Sequence, residues 1–170
     1  MALVRMDIGT IVVGGGPVSS MVILRRRETS SDSSSAQLPI RIGVAEAASI
    51  GMGQSSTSVP RPMTHDLLAR TIAAFGAKVT SVAITDVEGT TFFAQINLTT
   101  SEGSHISLDA RPSDAISLAI RTKSPIYADE FVLATAAYPD LASVERDEER
   151  QELEEFRAFV NDLNPEDFAE

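Results

Sequence analysis

Cysteine is absent from the 170 residues, which excludes disulfides and thiolate zinc sites and fits a reducing, cytoplasmic setting. Histidine is scarce. His65 and His105 are the two, too few for phosphohydrolase sites that gather several histidine–aspartate pairs around metals. No apolar run approaches the roughly 18 residues that a membrane-spanning helix needs. Arg5 and Asp7 fall where a signal peptide would keep its apolar segment, so an untargeted chain is expected. A basic surplus is also missing. The net charge is −10, but residues 140–170 hold 12 acids and 3 bases, whereas residues 1–139 hold 12 acids and 11 bases. The acidity therefore belongs to the tail, and the body is nearly neutral. Tight, salt-dependent binding of long duplexes is not expected, while local phosphate sites remain open.

What is present reads as one α+β domain over residues 1–139, with an antiparallel or mixed sheet packed by helices, and a separate acidic helical tail over 140–170. Leu3 to Val13 and Val18 to Leu24 read as two strands around Gly14-Gly15-Gly16-Pro17. A serine-rich loop spans Glu28 to Gln37, and Leu38 to Ile42 is a short strand. A small-residue helix over Ala45 to Ile50 ends at Gly51, and Gln54 to Val59 is a second loose stretch. Thr64 is expected to cap a helix carrying Leu68, Ile72 and Phe75 on one face, with Gly76 as its left-handed stop. Lys78–Val87, Thr90–Thr99 and Ser104–Ala110 form a meander turned at Glu88-Gly89 and Glu102-Gly103. Phe92, Ala94, Ile96 and Leu98 are its buried face. Ser113 caps the next helix, with Ile116, Ala119 and Ile120 inward, and a further helix spans Asp129 to Ala137. In the tail, Leu153, Phe156, Val160 and Leu163 make a narrow apolar stripe.

The glycine turn imitates a dinucleotide-binding loop, but that loop requires a helix after the glycines, and Met21-Val22-Ile23-Leu24 is strand-like. No nucleotide cofactor is expected. The chemistry gathers instead at two similar helix starts, Arg61-Pro62-Met63-Thr64-His65-Asp66 and Asp109-Ala110-Arg111-Pro112-Ser113-Asp114. A helix N-terminus with an adjacent arginine holds a phosphate. An imidazole shuttles protons near neutral pH, and carboxylates ligate divalent cations. The plain alternative is a shared capping grammar, with Thr64 and Ser113 as caps and Asp66 and Asp114 set against the helix dipoles. Glu46 is either a further carboxylate in the same cleft or a solvated helix residue. No serine stands on a nucleophile elbow.

Leu38-Pro39-Ile40-Arg41-Ile42-Gly43 with Glu46-Ala47, the Arg61–Leu68 block, and Asp109–Ile116 with Leu118-Ala119-Ile120-Arg121 resemble the signature blocks of the bifunctional nuclease domain family. The resemblance covers roughly residues 3–137, and Asn164-Pro165-Glu166-Asp167-Phe168 resembles the tail of bacterial members. It implies an α+β fold, a wedge-shaped homodimer with a large groove, and cleavage of DNA and RNA. Its motif residues fall on Glu46, Arg61, Thr64, His65, Asp66, Asp109, Arg111, Ser113 and Asp114. Arg41 stands where an aromatic is expected, and the Glu28–Gln37 insert lengthens a short connection.

The combined expectation is a cytoplasmic homodimeric nuclease. Asp109, Asp114 and Asp66 or Glu46 would hold a divalent ion such as Mg2+ or Mn2+. Arg61 and Arg111, with Thr64 and Ser113, would bind the phosphate, and His65 would move the proton. A metal-free route through His65 and a non-catalytic dimeric module with an anion pocket are the alternatives.

Overall fold

The computed structural model describes residues 2–14, 19–27, 36–55, 60–139 and 157. Apart from Arg157, which is helical, the tail lies outside the described residues, as do most of the glycine turn and most of both serine-rich stretches.

Among the described residues, eight strands form one mixed sheet in the order β6-β5-β4-β7-β1-β2-β3-β8. β1 (Leu3–Val12), β2 (Ser20–Arg26) and β3 (Ala36–Ile42) pair antiparallel in sequence order. The glycine segment thus joins two strands, the hairpin expected from the residues after it. The Gly14 N–H donates to Ser20 Oγ at 2.9 Å where the chain leaves β1. β4 (Ala77–Glu88), β5 (Thr91–Thr100) and β6 (His105–Ala110) form the expected meander. Its turns pass through Gly89 and Gly103, both at positive φ, a conformation that costs other residues a Cβ clash.

The two three-strand halves are joined by β7 (Ile126–Asp129), which runs parallel to β4 and antiparallel to β1. The sequence reading has no strand there, and starts a helix at Asp129. Asp129 does both jobs: it closes β7 opposite Leu3, and its carboxylate accepts from the Phe131 N–H at the start of α4 (Glu130–Ala136). A two-residue strand, β8 (Tyr138–Pro139), then pairs with β3. Irregular register in β1, between Ile8 and Thr10, and at two places in β4 increases the local twist. The sheet curls enough that the end of β3 and the β4–β5 turn line one groove.

One continuous core joins both halves: Met6, Leu24 and Ile40 from the first, Val82, Ile84 and Ile96 from the second, and Ile50, Ile116 and Leu118 from the helices. α3 (Pro112–Thr122) is the most buried helix, and α1 (Val44–Gln54) and α2 (Thr64–Ala74) both pack against it. α1 does not stop at Gly51. It continues through Gly53 to Gln54 because Ala47 and Ile50 are fully buried, and tertiary packing outweighs glycine's low helix propensity.

Other expectations are also corrected. Met63 and Arg111, not Thr64 and Ser113, occupy the N-cap positions, and neither caps with a side chain in the usual way. Instead Asp66 reaches back to accept from the Met63 N–H at 2.9 Å, and Pro112 takes the first helical position, where its missing N–H costs nothing. Gly76 is left-handed after α2, as expected. Leu68, however, is exposed, and no residue of α2 is fully buried. Phe92 is only partly buried against the core, whereas Ala94, Ile96 and Leu98 are buried as the alternation requires.

Candidate functional site

Three helix starts converge on one place. The first turns of α1, α2 and α3 supply Glu46, His65 and Asp114, the Arg111 N-cap stands ahead of α3, and Ser49 lies one turn further along α1. The partial positive charge of each helix N-terminus favours the carboxylates set there and any anion that joins them. His65 is the hinge of the cluster, with both ring nitrogens engaged and its side chain 14 % exposed. Nε2 lies 3.1 Å from Asp114 Oδ1, and Nδ1 lies 3.0 Å from Ser49 Oγ. Arg111 donates from Nε to Asp114 Oδ2 (2.8 Å), from Nη2 to Asp114 Oδ1 (3.2 Å) and from Nη1 to Glu46 Oε1 (3.3 Å).

Burial pushes the Asp114 carboxyl upward, but the hydrogen bonds and charges of Arg111 and His65 outweigh it, leaving the group below the ordinary carboxylate value. An ionised carboxylate only accepts, so the imidazole must donate to it from Nε2. When the ring is neutral its lone pair lies at Nδ1, and the Ser49 hydroxyl donates to it.

Asp66 has a different duty. Its Oδ2 accepts from the Met63 N–H, and its Oδ1 accepts from Arg121 Nε at 2.6 Å. The backbone hydrogen bond from Met63 is the main cause of its lowered pKa, with Arg121 adding to it. Arg121, only 7 % exposed, also donates to the carbonyls of Ser117 and Ser49 at 3.0 and 3.2 Å. One guanidinium thus ties α2, α3 and α1 together. Gly53 makes room for it, since a Cβ there would fall 2.8 Å from Arg121 Nη1.

The cluster opens into three grooves that share walls. The central one, about 300 Å3, is lined by Glu46, Ser49, Thr64, His65, Arg111 and Asp114, with Ala45 and Met63. A second, about 420 Å3, shares Glu46 and Arg111 and extends past Arg41 and Ser113 to Phe92. A third, about 430 Å3, shares Met63 and continues through Asp66 to Arg61, Arg70 and Arg121.

The two arginines paired by pattern therefore line different grooves, Arg111 the first two and Arg61 the third. Ser113 is buried at the wall of the second groove. Asp109 is exposed on β6 opposite Gln95 and lines none of these three grooves. Among the described residues no three carboxylate or imidazole groups are placed to hold one metal ion. The set Asp66, Asp109 and Asp114 is not assembled here. Asp66 faces Arg121, and Asp114 faces Arg111 and His65.

Ser49 and Arg121 are the members that sequence reasoning missed. Ser49 had one usable signal: it follows Glu46 at i+3 and so shares its helix face. Arg121 stood in the Leu118–Arg121 block of the family resemblance with no role attached.

The fold and site define a class: an α+β protein with a histidine–carboxylate pair and an arginine in the middle of a chain of grooves. Residues 22–140 match the family described as Bifunctional nuclease domain, and the chain belongs to that family. It is 40% identical over 137 residues, 77% of this chain and 80% of the relative, to the uncharacterized protein Rv1829 of Mycobacterium tuberculosis. A more distant relative is Bifunctional nuclease 1 of Arabidopsis thaliana, 28% identical over 105 residues, which are 61% of this chain and 31% of that one. Among the described residues no helix is long and apolar enough to cross a membrane.

Proposed function

We propose that the protein is a nuclease that cleaves phosphodiester bonds of DNA and RNA, with a single strand lying along the three grooves and the scissile phosphate in the central one. The observation that carries this reading is the meeting of His65, Asp114 and Arg111 in a groove whose neighbours are lined by Arg41 on one side and Arg61 and Arg70 on the other. Single-strand binding needs a basic groove that tracks the backbone and an aromatic face for a base. The arginines supply the first and Phe92 the second. A near-neutral body suits such a local track better than a long duplex.

In this reading His65 moves the proton, and Asp114 fixes its tautomer and balances the charge it gains. Arg111 answers the charge that develops on the phosphoryl oxygens. Three of its five N–H donors are occupied by Asp114 and Glu46, and 66 % of its side chain is exposed, so donors remain for a phosphate. Thr64 and Ser113 stand at the walls as substrate contacts, Arg61 binds the strand one groove away, and Glu46 orients Arg111. Asp66 serves by holding Arg121. Among the described residues no three carboxylates are placed to hold a divalent cation such as Mg2+ or Mn2+.

The protein is further proposed to be a cytoplasmic homodimer built from the 1–139 body, with 140–170 as a separable tail. A second reading, a non-catalytic dimeric module with an anion pocket, draws on the mutual neutralisation of Arg111 by Asp114 and Glu46. Nuclease assays on the purified chain, with and without a chelator, decide between them. Cleavage lost in His65→Ala supports the nuclease; absence of cleavage under both conditions supports the module.

A further inference from the structure

Ser49 sits in the second turn of α1 and lines the central groove, on the helix face of Glu46. Its surroundings are those of an activated hydroxyl. Nδ1 of His65 is 3.0 Å from Oγ, and the opposite ring nitrogen is 3.1 Å from Asp114. In the neutral form of the ring, the direction of both bonds is fixed by the acceptor at the far end. Asp114 can only accept while ionised, so Nε2 carries the ring proton, Nδ1 is bare, and the serine proton points at it. The Oγ lone pairs are then left for the groove. Three further contacts keep this order. Arg111 holds the Asp114 carboxylate by two N–H bonds, and Arg121 binds the Ser49 carbonyl at 3.2 Å, which fixes the turn of α1 that presents the hydroxyl. A nucleophile, a base within hydrogen-bond reach, and a third group orienting the base are the parts of nucleophilic catalysis, whatever the fold.

We infer that Ser49 is the nucleophile of this site, and that cleavage proceeds through a covalent seryl phosphodiester. The inference rests on the nuclease reading for its substrate, but not for the reactivity of the serine. In the first step Ser49 Oγ bonds to phosphorus as its proton passes to His65 Nδ1. The bond from phosphorus to the leaving oxygen breaks, and that oxygen takes the proton back from Nδ1. In the second step water attacks the seryl phosphodiester and gives its proton to Nδ1. The phosphorus–Oγ bond breaks, and Oγ recovers the proton. Hydrolysis is the net change, with no oxidant or further reactant. Arg111 faces the phosphoryl oxygens in both steps.

The test uses the full chain and a probe that needs no nucleic acid. Diisopropyl fluorophosphate reacts with an activated serine by forming the Oγ–phosphorus bond and expelling fluoride, with the proton going to the base. Intact-mass and peptide mass spectrometry should find the adduct on Ser49. The adduct should be absent in Ser49→Ala, and its rate of formation lower by on the order of 10² or more in His65→Ala and Asp114→Asn, which lose the base and its orienting acceptor. Circular dichroism checks that each variant is folded. In parallel, Ser49→Ala is assayed on single-stranded DNA and RNA and should lose cleavage. A folded Ser49→Ala that cleaves as well as the unaltered chain overturns the inference and leaves the nuclease reading standing, with water as nucleophile. Labelling at Ser49 in a protein that cleaves no nucleic acid upholds the nucleophile and overturns its assigned substrate. Absence of both labelling and cleavage overturns both.

Discussion

Asp114 is the residue through which the site's electrostatics pass, because it accepts from the imidazole and from the guanidinium at once. An Asn in its place keeps the shape but loses the charge, and its amide can turn an N–H toward His65. The ring then has no reason to keep its proton at Nε2. Asp114→Asn is therefore expected to lower phosphodiester cleavage by about 10² or more, as loss of an orienting carboxylate does in triad enzymes. Cleavage assays beside circular dichroism check this, and a folded, fully active variant would show that the pair is only a structural contact. Arg111→Ala is expected to cost a similar factor, since it removes a preorganised donor at the developing charge. Arg61→Ala, one groove away, should instead weaken strand binding with a smaller effect on turnover, seen as a rise in KM at near-constant kcat.

Among the elements, α1, α2 and α3 meet through the single guanidinium of Arg121. Removing it strands Asp66 beside a buried face, so Arg121→Ala should destabilise the fold by about 2–3 kcal/mol, less than a fully buried pair because Asp66 keeps contact with water. Denaturant unfolding measures it. Linkage gives a second check. The Asp66 carboxyl is held below its ordinary value of 3.8, so its stabilising effect is fully present above that pH and is lost as the pH falls through the lowered folded value. Asp66→Asn should accordingly flatten the acid limb of the stability curve below about pH 4 and reduce stability at neutral pH. A curve unchanged at both ends would show that the pair contributes nothing.

The elements also divide by how much the chain alone discloses. The meander was legible because alternation in Phe92–Leu98 and glycines at both turns agree on one register. The helices at Thr64 and Pro112 were legible from their Arg-Pro starts. β7 was not. Its four residues offer neither alternation nor a turn signal, and they are a strand because β1 and β4 stand on either side. Leu68 is exposed although it lies on the apolar stripe of α2, because a stripe at helical spacing says that a face is apolar, not what covers it. For the site, the chemical residue types at 61–66 and 109–114 were legible, and their pairings were not. Asp66 and Asp114 have the same place in their helices but opposite Arg121 and Arg111, and only packing decides that.

At the scale of the molecule, apolar surface remains open. α2 exposes Leu67, Leu68 and Phe75, the last at 85 %, and β6 exposes Ile106 and Leu108 on the face that its neighbour β5 buries. Exposed apolar side chains of this kind mark interaction sites, and in the proposed homodimer they would be the contact. Phe75→Asp should then shift the protein to monomer in sedimentation velocity, with its circular dichroism unchanged; a wild-type chain already monomeric would remove the dimer from the account. The tail is the other global feature. Because residues 140–170 carry 12 acids against 3 bases, their removal should leave the body folded and tighten binding to single-stranded nucleic acid by lowering repulsion. An unfolded truncation would make the tail part of the core. Whether the groove holding His65, Asp114 and Arg111 cleaves phosphodiesters is decided by incubating the purified protein and its His65→Ala variant with end-labelled single-stranded DNA and RNA. Fragmentation of both substrates by the unaltered chain is expected, with loss by on the order of 10² or more in a folded His65→Ala. Equal fragmentation by the two proteins, or none by the unaltered chain with or without added Mg2+ or Mn2+, would contradict it.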